Sequence, residues 1–312
     1  MIRKFYFFTI SVLVLNIALA QDPTFFNARQ SLVYLNPSFA GSNGGIRNQF
    51  SYRNQWPNLS GTYVTFLNTF DAYINSIKGG IYFSALHDDQ AHGTLKTDVF
   101  SLGYAQYISL MEGNLKIIPS LQASAGVKQL DRTKLNFGDV IDARRGFVWN
   151  VPSTPLVSKK TYLDLSSGLL INYKSFYFGS SIFHINQPDE GLLGASKLPY
   201  RLSLYSSYNF KINEKTLLHF FTRYERQQKF DCLYLNVNAL LFKHIIIGGG
   251  YTSNNTVDFN LGYRHDFFVL SLGYDITTSK LSENTAGSWV LQGSFNLRKK
   301  EQRKVITDFE KW

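Results

Sequence analysis

Cysteine is almost missing from this chain of 312 residues. Cys232 stands alone, so neither an internal disulfide framework nor a thiolate metal cluster supports the fold. Beyond residue 20 no run is long and apolar enough for a transmembrane helix, which needs about twenty such residues. Helix-period segments that could cover a sheet are scarce, which argues against a soluble layered fold. No glycine cluster has the strand-to-helix setting of a nucleotide-binding loop, so Gly79, Gly80, Gly103, Gly168 and Gly248 to Gly250 read as bulges or crowded wall positions. No nucleophile elbow or metal-binding helix accompanies His87, His92, His184, His219, His244 or His265, and nothing therefore points to an enzyme or a cofactor.

What the chain does have begins with a leader. Arg3 and Lys4 precede an apolar stretch from Phe5 to Leu19 that closes on Ala18-Leu19-Ala20, the pattern of a secretory signal peptide cut after Ala20. Residues 21–45 follow, with the turn-forming pair Asn36-Pro37 and a flexible Gly41 to Gly45, and read as a structured periplasmic approach to the first strand.

From Ile46 to Arg298 short segments alternate apolar and polar residues one by one. In the clearest, Val257, Phe259, Leu261 and Tyr263 interleave with Asp258, Asn260, Gly262 and Arg264. Strand side chains point alternately to opposite faces, so such a sheet has one face in an apolar medium and the other in a polar one. About fourteen strands are expected, near 46–54, 62–72, 78–86, 95–108, 114–129, 161–173, 175–186, 200–210, 216–225, 230–241, 243–252, 256–265, 267–276 and 287–298. An even count of segments of roughly ten residues suits an all-β fold: one transmembrane antiparallel β-barrel of the outer-membrane type. Loops after odd-numbered strands are mostly longer than those after even-numbered ones, as expected when both termini are periplasmic.

Facing follows from the alternation. In the fifth strand Leu115, Ile117, Leu121, Ala123 and Val127 are assigned to lipid, and Lys116, Ser120, Gln122, Ser124 and Lys128 to the lumen. Pro119 breaks that ladder and argues against the strand unless it sits at a bulge. In the last strand Trp289, Leu291, Phe295 and Leu297 face lipid, while Ser288, Gln292, Asn296 and Arg298 face inward. Strands three and seven alternate poorly, leaving their facing open. Aromatics at segment ends, such as Tyr251, Tyr263, Tyr274 and Trp289, fit interfacial girdles.

The net charge of +10 is partly concentrated in a basic tail, residues 299–312. Export removes nucleic acid as a partner, and attraction to outer-membrane lipid surfaces is the plainer reading. The run His87-Asp88-Asp89-Gln90-Ala91-His92 could supply ion ligands but reads first as a solvated loop tip. Asp139, Asp142, Arg144 and Arg145 read as a folded-in loop held by ion pairs.

Several stretches are more specific. Leu35-Asn36-Pro37-Ser38-Phe39-Ala40-Gly41, Tyr52-Arg53-Asn54-Gln55-Trp56-Pro57 and Gly79-Gly80-Ile81 resemble the opening of the PorP/SprF family of Bacteroidetes outer-membrane proteins. Phe137-Gly138-Asp139-Val140-Ile141-Asp142 and Phe183-His184-Ile185-Asn186-Gln187-Pro188 resemble its later landmarks. Gly287-Ser288-Trp289-Val290 departs from the Gly-Ser-His-Glu run usual there. The resemblance implies a non-enzymatic barrel of type IX secretion and gliding motility. It would help export, or hold at the surface, a cargo protein such as an adhesin, and meet periplasmic ring or peptidoglycan-associated components. No catalytic residues carry over, and the motif residues become candidates for barrel folding or partner docking. The rival reading is a pore for small solutes.

Overall fold

The structure, a computed structural model, describes residues 22–25, 31–59, 61–135, 141–142, 146–147, 157–278 and 285–297. The leader, the basic tail and the candidates Gly138 and Asp139 lie outside the described residues, and of Asp142 only the backbone is described.

Fourteen antiparallel strands form one closed wall: β1 (Ile46–Gln55), β2 (Tyr63–Ile74), β3 (Gly79–Gln90), β4 (Leu95–Gln106, continued by Ile108–Leu110), β5 (Leu115–Asp131), β6 (Val157–Tyr173), β7 (Phe176–Phe183), β8 (Arg201–Asn213), β9 (Thr216–Gln227), β10 (Phe230–Leu241), β11 (Ile245–Thr252), β12 (Thr256–Arg264), β13 (Phe268–Thr277) and β14 (Ser288–Asn296). Each strand pairs with its sequence neighbours, and β1 pairs with β14 from Arg47↔Asn296 to Gln55↔Ser288. Closure leaves the wall without a free edge, the condition for backbone in hydrocarbon.

The alternation places the faces as expected. On β12 Phe259 and Leu261 are exposed while Asp258 and Asn260 are buried. On β14 Trp289, Leu291, Phe295 and Leu297 point outward, and Ser288 and Gln292 inward. On β5 Leu121 is 70% exposed beside buried Ser120 and Ser124. A continuous apolar exterior of this kind needs lipid to cover it.

Two expectations are revised. Pro119 sits at no bulge, because the β5–β6 register runs through it unbroken to Leu169. Instead the β4–β5 ladder is interrupted opposite it, between the pairs Ala105↔Ser120 and Ile108↔Ile117, where the missing proline N–H would have been required. β7 ends at Phe183 rather than near 186, because His184 takes a left-handed φ of 59° and turns its ring into the lumen between two carboxylates.

The largest difference concerns residues 22–25 and 31–45. They do not stand below the wall as an approach; they lie inside it as a plug. Helix α1 (Leu32–Leu35) and the following 3-10 turn, Pro37–Phe39, pack Leu32, Val33, Leu35 and Phe39 against Tyr82, Ile118, Leu170, Tyr177, Tyr205 and Phe221 of the inner wall. Fully burying each such side chain is worth roughly 1.5–3 kcal/mol, which a segment in water would forgo. The inward apolar residues also explain why β3 and β7 alternate poorly. Tyr82 and Tyr177 share a cluster with Leu32 to Phe39 of the plug, Leu86 shares one with Phe25, and Phe183 carries the Arg201 guanidinium on its ring.

The fit is close. A Cβ on Gly80 would lie 1.9 Å from the Ala40 carbonyl oxygen, and one on Gly168 would lie 2.1 Å from Asn36 Oδ1. We expect Gly80→Val to lower barrel stability by about 1–3 kcal/mol through displaced backbone. Gly61→Ala, whose Cβ would meet nothing closer than 3.7 Å, serves as the neutral control in urea titrations followed by tryptophan fluorescence.

Candidate functional site

The two ends of the barrel differ. At one end the connections are short, at residues 75–78, 111–114, 174–175, 214–215, 242–244 and 265–267. At the other they include the longer segments 56–62, 132–156, 184–200 and 278–287. The plug runs between these ends. Asp22 and Pro23 lie near the long-loop rim, and residues 40–45 lead into β1 at the short-turn end. β14 finishes at that same short-turn end.

Above the plug, at the long-loop end, opens a vestibule of about 680 Å³. Asp22, Pro23, Thr24, Val33 and Tyr34 supply plug residues to its lining, and inward side chains of the wall supply the rest. On the β10–β14 side, Asn236, Asn238, Asp258, Asn260, Ser271 and Gln292 are buried within the lumen. Asn260 donates to Asn238 at 3.0 Å and Gln292 to Ser51 at 3.0 Å, so polar side chains fill this part themselves.

Around the vestibule the charges are paired. Arg201 Nη1 lies 3.1 Å from Asp22 Oδ2, and its guanidinium stacks over the rings of Phe183 and Tyr34. His184 contacts Asp22 through Nε2 and Asp164 through Nδ1, both at 2.8 Å. Arg53 Nη2 meets Asp275 at 3.2 Å, and Arg53 Nη1 donates to the Thr24 carbonyl at 2.6 Å. Lys128 meets Glu190 at 2.9 Å. The plug is thereby tied at its upper end to β1, β8 and the segment after β7, and through His184 to β6.

Burial works against a charged His184, but the flanking carboxylates of Asp22 and Asp164 outweigh it and raise the imidazole to about 9. Burial likewise opposes ionised Asp22, and His184 and Arg201 overcome it to hold that carboxyl well below the usual range. A raised histidine value stabilises the folded state fully below its ordinary value near 6.5 and ceases to do so as pH climbs through about 9. A depressed carboxylate acts in reverse and is lost in acid. We therefore expect the upper end of the plug to hold tightest near neutrality and to loosen above pH 9, detected as faster proteolysis ahead of Tyr34. A His184→Gln variant should lack the alkaline step.

The motif residues fall into two groups. Asn36, Pro37, Phe39 and Gly41 are in the plug. Asn36 Nδ2 donates to the carbonyls of Ser180 at 2.9 Å and Leu169 at 3.2 Å, while its Oδ1 accepts from the Ser38 amide at 2.8 Å. Phe39 stacks on Tyr205 with centroids 5.9 Å apart. Gly41, at φ 72°, donates its amide to Asp71 at 2.8 Å. These residues serve the interior and offer no outward docking surface in this state. We expect Asn36→Ala to cost about 1–3 kcal/mol, because it removes two hydrogen bonds from the plug to the wall and the cap of the Pro37–Phe39 turn.

Tyr52, Arg53, Asn54, Gln55, Trp56 and Pro57 climb β1 to the rim. Tyr52 faces lipid, Arg53 and Gln55 line the vestibule, and Trp56, at φ 57°, sets its ring edge-on to Tyr63. His184 is in the charge cluster, and Pro188 is buried, its carbonyl accepting from Leu198 at 2.9 Å. The His87-to-His92 run does not converge. His87 points outward to Asp98, Asp88 inward, and Asp89 caps the Gly93 amide. Among the described residues no group of three or more potential metal ligands forms. Asp22 and Asp164 were not singled out by the sequence, although the even-numbered inward parity of β6 would have placed Asp164 in the lumen.

A closed antiparallel barrel with an apolar exterior and a polar interior defines an outer-membrane β-barrel protein. Residues 17–295 match the family described as "Type IX secretion system membrane protein PorP/SprF", and the chain belongs to that family. Among curated proteins there is no significant match. Similar solved structures include the Acinetobacter baumannii outer membrane protein Omp33, with 7% identity, TM-score 0.48, and coverage of 82% of this chain and 100% of that one. The CymD monoaromatic hydrocarbon channel has 12% identity and TM-score 0.48, covering 89% and 95% respectively. The KdgM porin has 8% identity and TM-score 0.37, covering 81% and 99%. These likenesses concern the barrel alone. Family and fold together point to a non-catalytic membrane protein that works with secretion components.

Proposed function

We propose that this barrel is a non-enzymatic component of the type IX secretion and gliding machinery that helps export a cargo protein or holds it at the cell surface. The long-loop end faces outside, and the short-turn end, with the basic tail, faces periplasmic secretion or peptidoglycan-associated components. The single observation that supports this reading is the plugged lumen. A wall of this size closed by its own N-terminal segment, with a blind vestibule at one end, is suited to hold a partner rather than to pass solutes. The rival reading as a small-solute pore requires a through path that the buried plug and the polar side chains of β10–β14 occupy.

The test is a deletion strain complemented with the wild-type chain. One or a few surface proteins should be retained inside or shed into the medium without the barrel, and restored with it. Unchanged display of every exported surface protein would overturn the role.

A further inference from the structure

We infer that the vestibule is a receptor pocket for a basic side chain, lysine or arginine, presented on an extended segment of the exported partner. The inference rests on the cargo-holding role above and assigns it a place.

Charge bookkeeping in the vestibule is uneven. Arg53, Lys128, His184 and Arg201 each already face a carboxylate. On the acidic side two acceptors remain. Asp88, buried at 4%, accepts only from the Thr65 hydroxyl at 2.6 Å and the Gln90 amide at 2.7 Å, and no ion pair reaches it among the described residues. Asp164, also buried at 4%, uses Oδ2 on His184 and leaves Oδ1 without a hydrogen-bond partner. Both residues line the cavity. A buried carboxylate oxygen without a donor is costly, and a cation brought to it recovers that cost.

The rest of the lining suits the stem of such a side chain. Trp56, Tyr63, Tyr82 and Tyr162 present aromatic surface beside the acids. Lysine and arginine bury apolar stems along such surface and gain from a ring face near the charge. The volume lies within the roughly 300–1,000 Å³ of ordinary ligand pockets. The plug blocks passage, so a segment entering from the long-loop end would stop there.

The experiment uses the full-length barrel in detergent micelles and two capped peptides, tetralysine and tetraglutamate, titrated calorimetrically. The expected result is saturable binding of tetralysine at one peptide per barrel and none of tetraglutamate. Asp88→Asn should weaken tetralysine at least tenfold, and Thr97→Trp, which fills the cavity from β4, should abolish binding. Retained gel migration of the unheated, folded barrel shows for each variant that the wall has formed. Equal binding of both peptides, or tetralysine binding indifferent to both substitutions, overturns the inference. So does binding that appears only when residues 136–156 are shortened, since the occupant would then be the chain's own loop. In cells, shedding of cargo by Asp88→Asn and Thr97→Trp supports the assignment. If the deletion strain sheds cargo while these variants retain it, the holding role survives and the pocket assignment falls. If the peptides bind as expected while deletion leaves display intact, the pocket stands and the role falls.

Discussion

Removing residues 22–43 turns a silent barrel into a conducting one. Fourteen strands enclose a lumen between those of the eight-stranded barrels that side chains fill and the sixteen-stranded porins that hold water. Here the β3–β9 half is occupied by α1 and the turn after it, and that half loses its filling in the truncated chain. We expect liposome swelling with a small sugar to rise at least about tenfold, with discrete openings in planar bilayers where the intact protein shows none. The inward faces of Tyr82, Ile118, Leu170, Tyr177, Tyr205 and Phe221 become wet, so the truncated wall should also unfold at lower urea. A folded truncation that stays as impermeable as the intact chain would show that the β10–β14 side chains alone seal the lumen.

The second large effect is expected at the lower end of the plug. Arg47 and Asp71 form a bidentate pair, with Nε to Oδ1 at 2.8 Å and Nη2 to Oδ2 at 2.9 Å, and their side chains are 2% and 0% exposed. The same groups hold the plug. Arg47 reaches the Ser42 hydroxyl at 3.2 Å, and Asp71 accepts the Gly41 amide. Asp71→Ala leaves a guanidinium buried without its counter-charge and should cost about 3–5 kcal/mol, read from the urea midpoint. Replacing both partners together, Arg47→Met with Asp71→Leu, should cost much less, since no charge is then stranded. A single substitution no more harmful than the double one would mean that water reaches this site.

The wall was legible in the sequence because lipid and lumen impose a period of two, and segments such as 256–264 and 288–296 obey it. Loop parity was legible for the same reason, since strand ends are marked by the break in alternation. The plug was not. Its helix is four residues long, too short to show a period of its own, and its apolar residues resemble any other short hydrophobic run. Its trace was present elsewhere, in the poor alternation of β3 and β7, where the inner face is apolar because protein covers it. The motifs Asn36 to Gly41 and Gly79-Gly80 announced a family, but their purpose, one backbone pressed on another, needs both strands of the contact. The vestibule was invisible for a related reason: Asp22, Asp88, Asp164, His184 and Arg201 come from five separate stretches of chain, and only the registers bring them around one opening.

The break in the ladder opposite Pro119 has a mechanical consequence. At that break Tyr107 turns inward, donates its hydroxyl to the Ala40 carbonyl at 2.8 Å and meets Tyr73 edge-on. The cylinder is therefore riveted to its filling at a break in its own hoop of hydrogen bonds. Lateral tension from the surrounding bilayer, applied at the fourth and fifth staves, would be shared across that gap by residues 38–40, since Ser38 also meets Ser120 of β5. Its stiffness belongs to the pair and not to the shell.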